Sequence, residues 1–329
     1  MEQIKYGIIG CGLIGEKRAK SLSRASLAAC CDVNLQSAQK LASTFNIPVV
    51  TQSIEEILAL KELQAVIIAT PNHLLAPLTL EAIRARKHVL VEKPGALKSH
   101  ELELALTEMQ HNNVKVRVGF NHRYHPALQK AHEIFQTGAL GPLMFIRARY
   151  GHGGRIGYEK EWRANPKLSG GGELIDQGVH LIDLAHWFLG DFLQIEGQAA
   201  TYFWDMPVDD NAFLNLRIAS GQTAWLQVSC TEWKNLFLEI YGRNAKLHIE
   251  GLGGSYGIEK LSYYKMLPQM GPPETTIWEY PQGDQSWNLE MKEFEKDIRE
   301  NRKCQPGLND ALTTLKIVET IYQKSGYKH

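Results

Sequence analysis

An excess of either charge is missing from this chain. Lys+Arg and Asp+Glu both number 36 in 329 residues, so nothing argues for nucleic acid or an anionic membrane as partner. Cysteine is scarce and unpatterned: five residues, at 11, 30, 31, 230 and 304, with no C-x-x-C pair. That excludes a disulfide framework and gives no zinc motif, so no metal is expected. Buried thiols in a cytoplasmic protein are the expectation. No apolar run approaches a membrane span, and the start "MEQIKYGIIG" has no basic, apolar and cleavage regions of a secretory signal. No fixed-period repeat is visible. The composition, 44% hydrophobic and 22% charged, excludes a disordered chain.

What is present is length and a change of pattern. A chain of 329 residues exceeds the usual reach of one core. Up to about residue 120, short apolar runs alternate with helical spacing. The runs are "KYGIIG", "LAACCDV", "LQAVIIAT", "KHVLVEKP" and "KVRVGF"; "LQSAQKLASTF", "PLTLEAIRAR" and "SHELELALTEMQHNN" read as helices. Ser53 with Glu56 reads as a capping box. Five nearly all-apolar strands between helices predict a parallel sheet covered on both faces. Beyond Pro126 a helix, "LMFIRARY" and a long helix from Glu173 lead into seven extended segments with short turns. This predicts a mostly antiparallel sheet. Two helices close the chain. The division expected is a doubly wound α/β domain at 1–122 and an α+β domain at 123–329 for substrate and oligomerisation, with room for the closing helices to pack back on the first.

"IIGCGLIG" after the first strand is G-x-G-x-x-G: Gly10 for the tight turn, Gly12 for approach of a pyrophosphate, Gly15 for helix–strand packing. Leu13 and Ile14 lie inside the same loop. The helix that follows offers N–H groups and a positive dipole end to phosphates. Asp32 ends the second strand, where an acid binds the ribose 2′-hydroxyl. No arginine follows it to hold a 2′-phosphate, so NAD is favoured over NADP. Thr70, Pro71, Asn72 and His73 follow the next long strand, where ligands bind in such sheets. Glu92 and Lys93 end the fourth run, and a lysine there can stabilise a developing alkoxide.

"GGGELIDQGVHLIDLAHWFL" raises a separate question. Asp176, His180 and Asp183 interrupt an apolar helix at spacings that share one α-helical face. A histidine with an adjacent carboxylate suits proton transfer near neutral pH; a core histidine and a Glu173–Asp176–His180 metal site are the alternatives. Asn121, Arg123 and Tyr124 either touch substrate or fix the domain junction. Between Gly151 and Gly172, His152, Arg155, Tyr158, Trp162 and Arg163 suit a sugar, including a nucleotide-activated one, since arginine binds phosphate or carboxylate bidentately.

"GIIGCGLIG", Asp32, "ATPNH", "EKP", "NHRYHP" and "GGGELIDQGVHLID" occur in the order of the Gfo/Idh/MocA oxidoreductases, which the chain resembles along nearly its whole length. The resemblance implies a Rossmann domain and a second domain on a large open, mostly antiparallel sheet. It implies a redox reaction between NAD(P) and a hydroxyl of a sugar or cyclitol, with Lys93, Asp176 and His180 catalytic and meeting at the domain interface. Arg155, Trp162 and Arg163 fall in a variable substrate region. Sheet-to-sheet homodimers or tetramers are expected, with Ala224, Leu226 and Val228 among the apolar residues offered. Two other readings stay open: a glycoside-processing enzyme using NAD transiently, and a non-catalytic cofactor-binding regulator.

Overall fold

Six short strands form the first sheet of the computed structural model, which describes residues 3–327. They are β1 Tyr6–Ile9, β2 Leu27–Cys31, β3 Val49–Thr51, β4 Ala65–Ile68, β5 His88–Glu92 and β6 Val116–Gly119. All pair in parallel, in the order β3-β2-β1-β4-β5-β6. Helices α1 Leu13–Lys20, α2 Leu35–Phe45, α3 Ile54–Ala59, α4 Asn72–Arg84 and α5 Ser99–Asn112 make the crossovers. The order reverses between β1 and β4, which opens the crevice where α/β sheets bind ligands.

Three details differ from the sequence reading. The strand β3 was not foreseen: three residues are too few to show a period. The helix assigned from Pro77 begins at Asn72, with Pro77 inside it. Only half of the Ser53 capping box forms. Ser53 Oγ accepts from Glu56 N at 3.1 Å, but the Glu56 carboxylate takes the Thr51 hydroxyl instead.

This sheet belongs to a compact unit made of Met1–Phe120 and Trp287–Leu312. The later segment contains most of α9 Ser286–Arg299. Met291 and Phe294 of α9 enter the same core as Tyr6, Ile8, Leu41 and Phe45. Each such side chain fully buried contributes roughly 1.5–3 kcal/mol. All five cysteines are buried, and none forms a disulfide.

The second unit comprises Asn121–Ser286 and Thr313–His329. It holds α6 Pro126–Gln136, the short α7 Pro166–Ser169 and α8 Val179–Leu189, with β7 Leu143–Gly151 and then β8 Phe192–Ala200, β9 Asn211–Ile218, β10 Thr223–Ser229, β11 Asn235–Gly242, β12 Ala245–Glu250, β13 Glu259–Lys265 and β14 Glu274–Tyr280. The last helix, α10 Leu308–Lys324, starts in the first unit and ends in the second. The eight strands run β14-β13-β12-β11-β7-β10-β9-β8. β7 and β10 pair in parallel and the remaining pairs are antiparallel.

α6 packs on β12, β13 and β14, and α8 on β7 and β10. This corrects the expectation for Ala224, Leu226 and Val228, which are buried under those helices rather than offered to a second copy. The open face of the same strands carries Phe213 and Trp225, the latter 62% exposed, with Arg147, Arg149 and Glu239. Alternation reveals which residues share a face, not which face is covered.

Candidate active site

The glycine loop of the first unit is built as its sequence implies. Gly10 has φ +95°, and a Cβ there would lie 2.5 Å from the Ala69 carbonyl oxygen. A Cβ at Gly15 would lie 2.0 Å from the Gly10 oxygen, so helix and loop touch. At Gly12 a Cβ would meet nothing within 4 Å. Gly12 is also the N-cap of α1, and no side chain caps that helix end. Leu13 beside it is 72% exposed.

Asp32 accepts from Cys11 N at 2.7 Å and from Asn34 N at 2.8 Å. One carboxylate thereby ties the glycine loop to the start of α2. Thr70 Oγ1 and His73 Nδ1 are buried and have no hydrogen-bond partner within the chain. An uncapped helix end over open space, a fixed carboxylate and two orphaned polar atoms fit a dinucleotide.

Glu92, at the end of β5, meets a buried arginine. Its carboxylate receives Arg18 at 2.6 Å, and Arg18 also meets Glu290 of α9 at 2.5 Å, with all three groups buried. Burial opposes the Arg18 charge, but Glu92 and Glu290 overcome it and hold the guanidinium above its ordinary proton affinity. Removing one partner from such a cluster costs about 3–5 kcal/mol. The strand end before Lys93 is therefore anchored from two sides.

In the second unit, Glu173 is followed by a π turn, Leu174–Gly178, and only then by α8. The single α-helix read from the sequence is thus corrected. A π turn is wider than an α turn, and such insertions recur at functional sites. Asp176 lies in the π turn and His180 in the first turn of α8, both buried. The glycines before them permit close packing. A Cβ at Gly172 would fall 1.8 Å from the Asp209 carbonyl oxygen, and one at Gly171 would fall 2.2 Å from the Tyr322 hydroxyl. The Asp209 carboxylate accepts from Gly172 N and Leu174 N, each at 2.8 Å, and from Tyr322 Oη at 2.7 Å. Burial pushes the Asp209 carboxyl up to about 6, against the pull of those donors.

Asp176 accepts from Arg163 Nε at 3.1 Å and from Gln177 Nε2 at 3.4 Å. Burial works against the Arg163 charge, and Asp176 restores it, leaving Arg163 above its ordinary value. Arg155 is 2.5 Å from Glu161, and Arg163 is 3.7 Å from the same carboxylate. Arg163 also lies over the Trp162 ring, 4.6 Å from its centroid. His152 is held below the ordinary histidine range, mainly by burial and in spite of Asp176; its Nδ1 has no partner. Burial keeps the Tyr150 and Tyr158 phenols neutral.

Arg123 grips Asp183 through two bonds of 2.8 and 2.6 Å, both residues buried. Asn121 donates to Ser286 Oγ at 2.8 Å. Tyr124 is buried in the turn between Asn121 and α6. The Arg123 fork is committed to α8, which argues against a substrate contact. Sequence reasoning missed four residues here. Asp209 and Tyr322 cap the π turn from elsewhere in the sequence, and His122 and Tyr150 surround His180. His122 stacks on His180 with centroids 3.8 Å apart and planes 19° apart. Among the described residues no cluster of three or more His, Cys, Asp or Glu could hold a metal, and no helix is long and apolar enough to cross a membrane.

A parallel dinucleotide-type sheet with an open glycine loop, followed by a unit on a mostly antiparallel sheet, is the arrangement of a two-unit NAD-binding oxidoreductase. The chain belongs to the GFO/IDH/MocA family: residues 4–120 match its "Oxidoreductase family, NAD-binding Rossmann fold" and residues 128–248 its "GFO/IDH/MocA C-terminal domain". It is similar to inositol 2-dehydrogenase of Rhizobium meliloti, 24% identical over 99% of this chain and 98% of that protein. Levoglucosan dehydrogenase of Pseudarthrobacter phenanthrenivorans is 27% identical over 63% of this chain, and the match spans 57% of that relative's length. A solved levoglucosan dehydrogenase in complex with NADH superposes with a TM-score of 0.87, at 22% identity and 98% coverage of both chains.

Proposed function

We propose that this oxidoreductase moves a hydride between NAD and a hydroxyl-bearing carbon of a neutral sugar or cyclitol. The carrying observation is the buried Asp176–His180 pair, placed one turn apart by the π turn, in a chain with an NAD-binding domain. NAD, when bound, supplies the hydride acceptor or donor. His180 takes the hydroxyl proton during oxidation and returns it in reduction. Asp176, fixed by Arg163, orients the hydroxyl. Lys93 stabilises the developing alkoxide by its charge.

The neutral class follows from the arginines. Arg155 faces Glu161, and Arg163 faces Asp176 and Glu161. Cations already matched by carboxylates are poor receivers of a phosphate, which speaks against the nucleotide-sugar expectation. The names of two relatives, an inositol and a levoglucosan dehydrogenase, support the same class, whereas that of a third, a glucose-6-phosphate 3-dehydrogenase, points to a phosphorylated sugar. The open sheet face around Phe213 and Trp225 supports pairing of two copies, which light scattering at micromolar concentration reads.

A screen for NADH formation over neutral hexoses, anhydrosugars and inositols, with sugar phosphates and nucleotide sugars alongside, tests the assignment. Turnover confined to the phosphorylated set overturns the neutral class. Glycoside cleavage without net NADH favours transient redox chemistry, and tight NAD binding without any turnover favours a regulator. On the substrate found, His180→Asn lowers single-turnover hydride transfer by roughly two to four orders of magnitude. Near-normal transfer removes His180 from the mechanism.

A further inference from the structure

His122 lies against His180, yet nothing in the reaction just described gives it a task. The two imidazoles are nearly parallel, and both residues are about 5% exposed or less. The other ring contacts extend this stack. His125 meets His122 edge-on at 5.5 Å, and Tyr150 of β7 meets His122 at 5.2 Å and His180 at 6.5 Å. His125 is itself held by carboxylates, with Nδ1 3.0 Å from Glu259 of β13 and Nε2 3.9 Å from Asp284. The Tyr150 phenol stays neutral through burial and its hydrogen bond with Tyr256.

We infer that His122 is a positioning residue for His180: the stack sets the plane of the His180 ring, and the two imidazoles share one proton. The inference rests on the reading of His180 as proton acceptor. Two imidazolium charges stacked out of water oppose each other, so binding of one proton defers the second. The charged groups around the pair leave this coupling in place. Asp176 is matched by Arg163 and Asp183 by Arg123, and the buried Glu173 carboxylate, whose charge raises the Tyr150 phenol beside both rings, favours protonation of either imidazole alike and leaves the repulsion between them. When His180 accepts the hydroxyl proton, one O–H bond breaks and one N–H bond forms. The resulting imidazolium then lies over the π face of a neutral His122, a favourable cation–π contact. If His122 were already protonated, the same transfer would place two cations face to face.

The test uses the full chain labelled with 13C at histidine Cε1, the His180 signal being assigned by its loss in His180→Asn. In the unmodified protein the His180 signal titrates in two steps, separated by about one pH unit or more. In His122→Phe, which keeps a flat ring beneath His180 but cannot take a proton, the signal titrates in one step, moved up by about one unit. The acid limb of the oxidation rate moves with it. His122→Leu, which removes the flat ring, lowers kcat about tenfold with little change in KM. A His180 titration curve that superposes in the unmodified and His122→Phe proteins overturns the inference. If His122→Phe does not fold, His122→Gln is read in the same way. The titration does not depend on turnover, so normal hydride transfer in His180→Asn would sink the catalytic reading while the coupling is judged by NMR alone.

Discussion

Two glycine-rich stretches lead into helices in this protein, and they do opposite things. In "GCGLIG" the glycines leave space: a Cβ at Gly12 meets nothing within 4 Å, and α1 begins without a side-chain cap. In "GGGELID" they allow contact: a Cβ at Gly172 would strike the Asp209 backbone, and the Asp209 carboxylate already takes the N–H groups at the start of the π turn. Both helix ends attract negative charge, as N-termini do. The first is left for a diphosphate from outside, whereas the second is satisfied from within. Glycine before a helix therefore marks close approach, and only the three-dimensional neighbour says whether a ligand or the chain itself approaches.

Substitutions at the two ends sharpen this contrast. The largest effect is expected for Gly172→Ala, since a backbone oxygen at 1.8 Å from the new Cβ cannot rotate away. A loss of about 3 kcal/mol or more is expected in denaturant unfolding. An unchanged midpoint would mean that the internal contact is not what requires glycine.

Asp209→Asn comes next. Asparagine offers one accepting oxygen where the carboxylate offers two, so one N–H at the turn loses its partner, at about 1–3 kcal/mol. The pH dependence has a definite sign. The folded carboxyl, at about 6, lies above the unfolded value of about 4. Its stabilising contribution is therefore full below pH 4 and declines as pH rises through 6. The stability gap between the unmodified protein and the variant should narrow from pH 4 to pH 7. A gap that widens over that range contradicts a buried, proton-retaining Asp209.

Gly12→Ala should leave stability within about 0.5 kcal/mol, because its methyl enters open space. Calorimetry should nonetheless show NAD binding weakened about tenfold, equivalent to about 1.4 kcal/mol. A melting temperature that falls while NAD affinity holds would reverse the comparison. The smallest change is expected from Asp32→Ala, with NAD weakened roughly threefold to tenfold and NADP less affected, since the lost carboxylate repels a 2′-phosphate. Tighter binding of NADP than NAD by the unmodified protein would overturn the cofactor choice.

The parallel sheet was legible because strands buried on both faces are continuous apolar runs, and the glycine loop because its spacing has a mechanical cause. Asp176 and His180 stood out as polar residues in an apolar helix. Their surroundings were not legible. The π turn has no periodic signature in five residues. Asp209 and Tyr322 reach it from 37 and 150 residues away, counted from Gly172. That Glu92, next to Lys93, meets a buried arginine from α1 had no signal in the sequence. The face of Ala224, Leu226 and Val228 was misjudged because coverage by α8 is a tertiary fact. The arginines between Gly151 and Gly172 gave no sign in the sequence that Glu161 and Asp176 lie beside them.

The segment Trp287–Leu312 completes the first unit after more than a hundred and sixty residues devoted to the second. Glu290 on that segment shares Arg18 with Glu92. A gene fragment ending near residue 120 would therefore encode a nucleotide-binding half whose buried Arg18 keeps Glu92 but loses Glu290, and which lacks part of its core. Anyone grafting a foreign substrate module onto this cofactor module would have to splice at three junctions, after residues 120, 286 and 312. The two modules are separable in space but interleaved in the reading frame, so recombination at a single crossover would break the half it was meant to preserve.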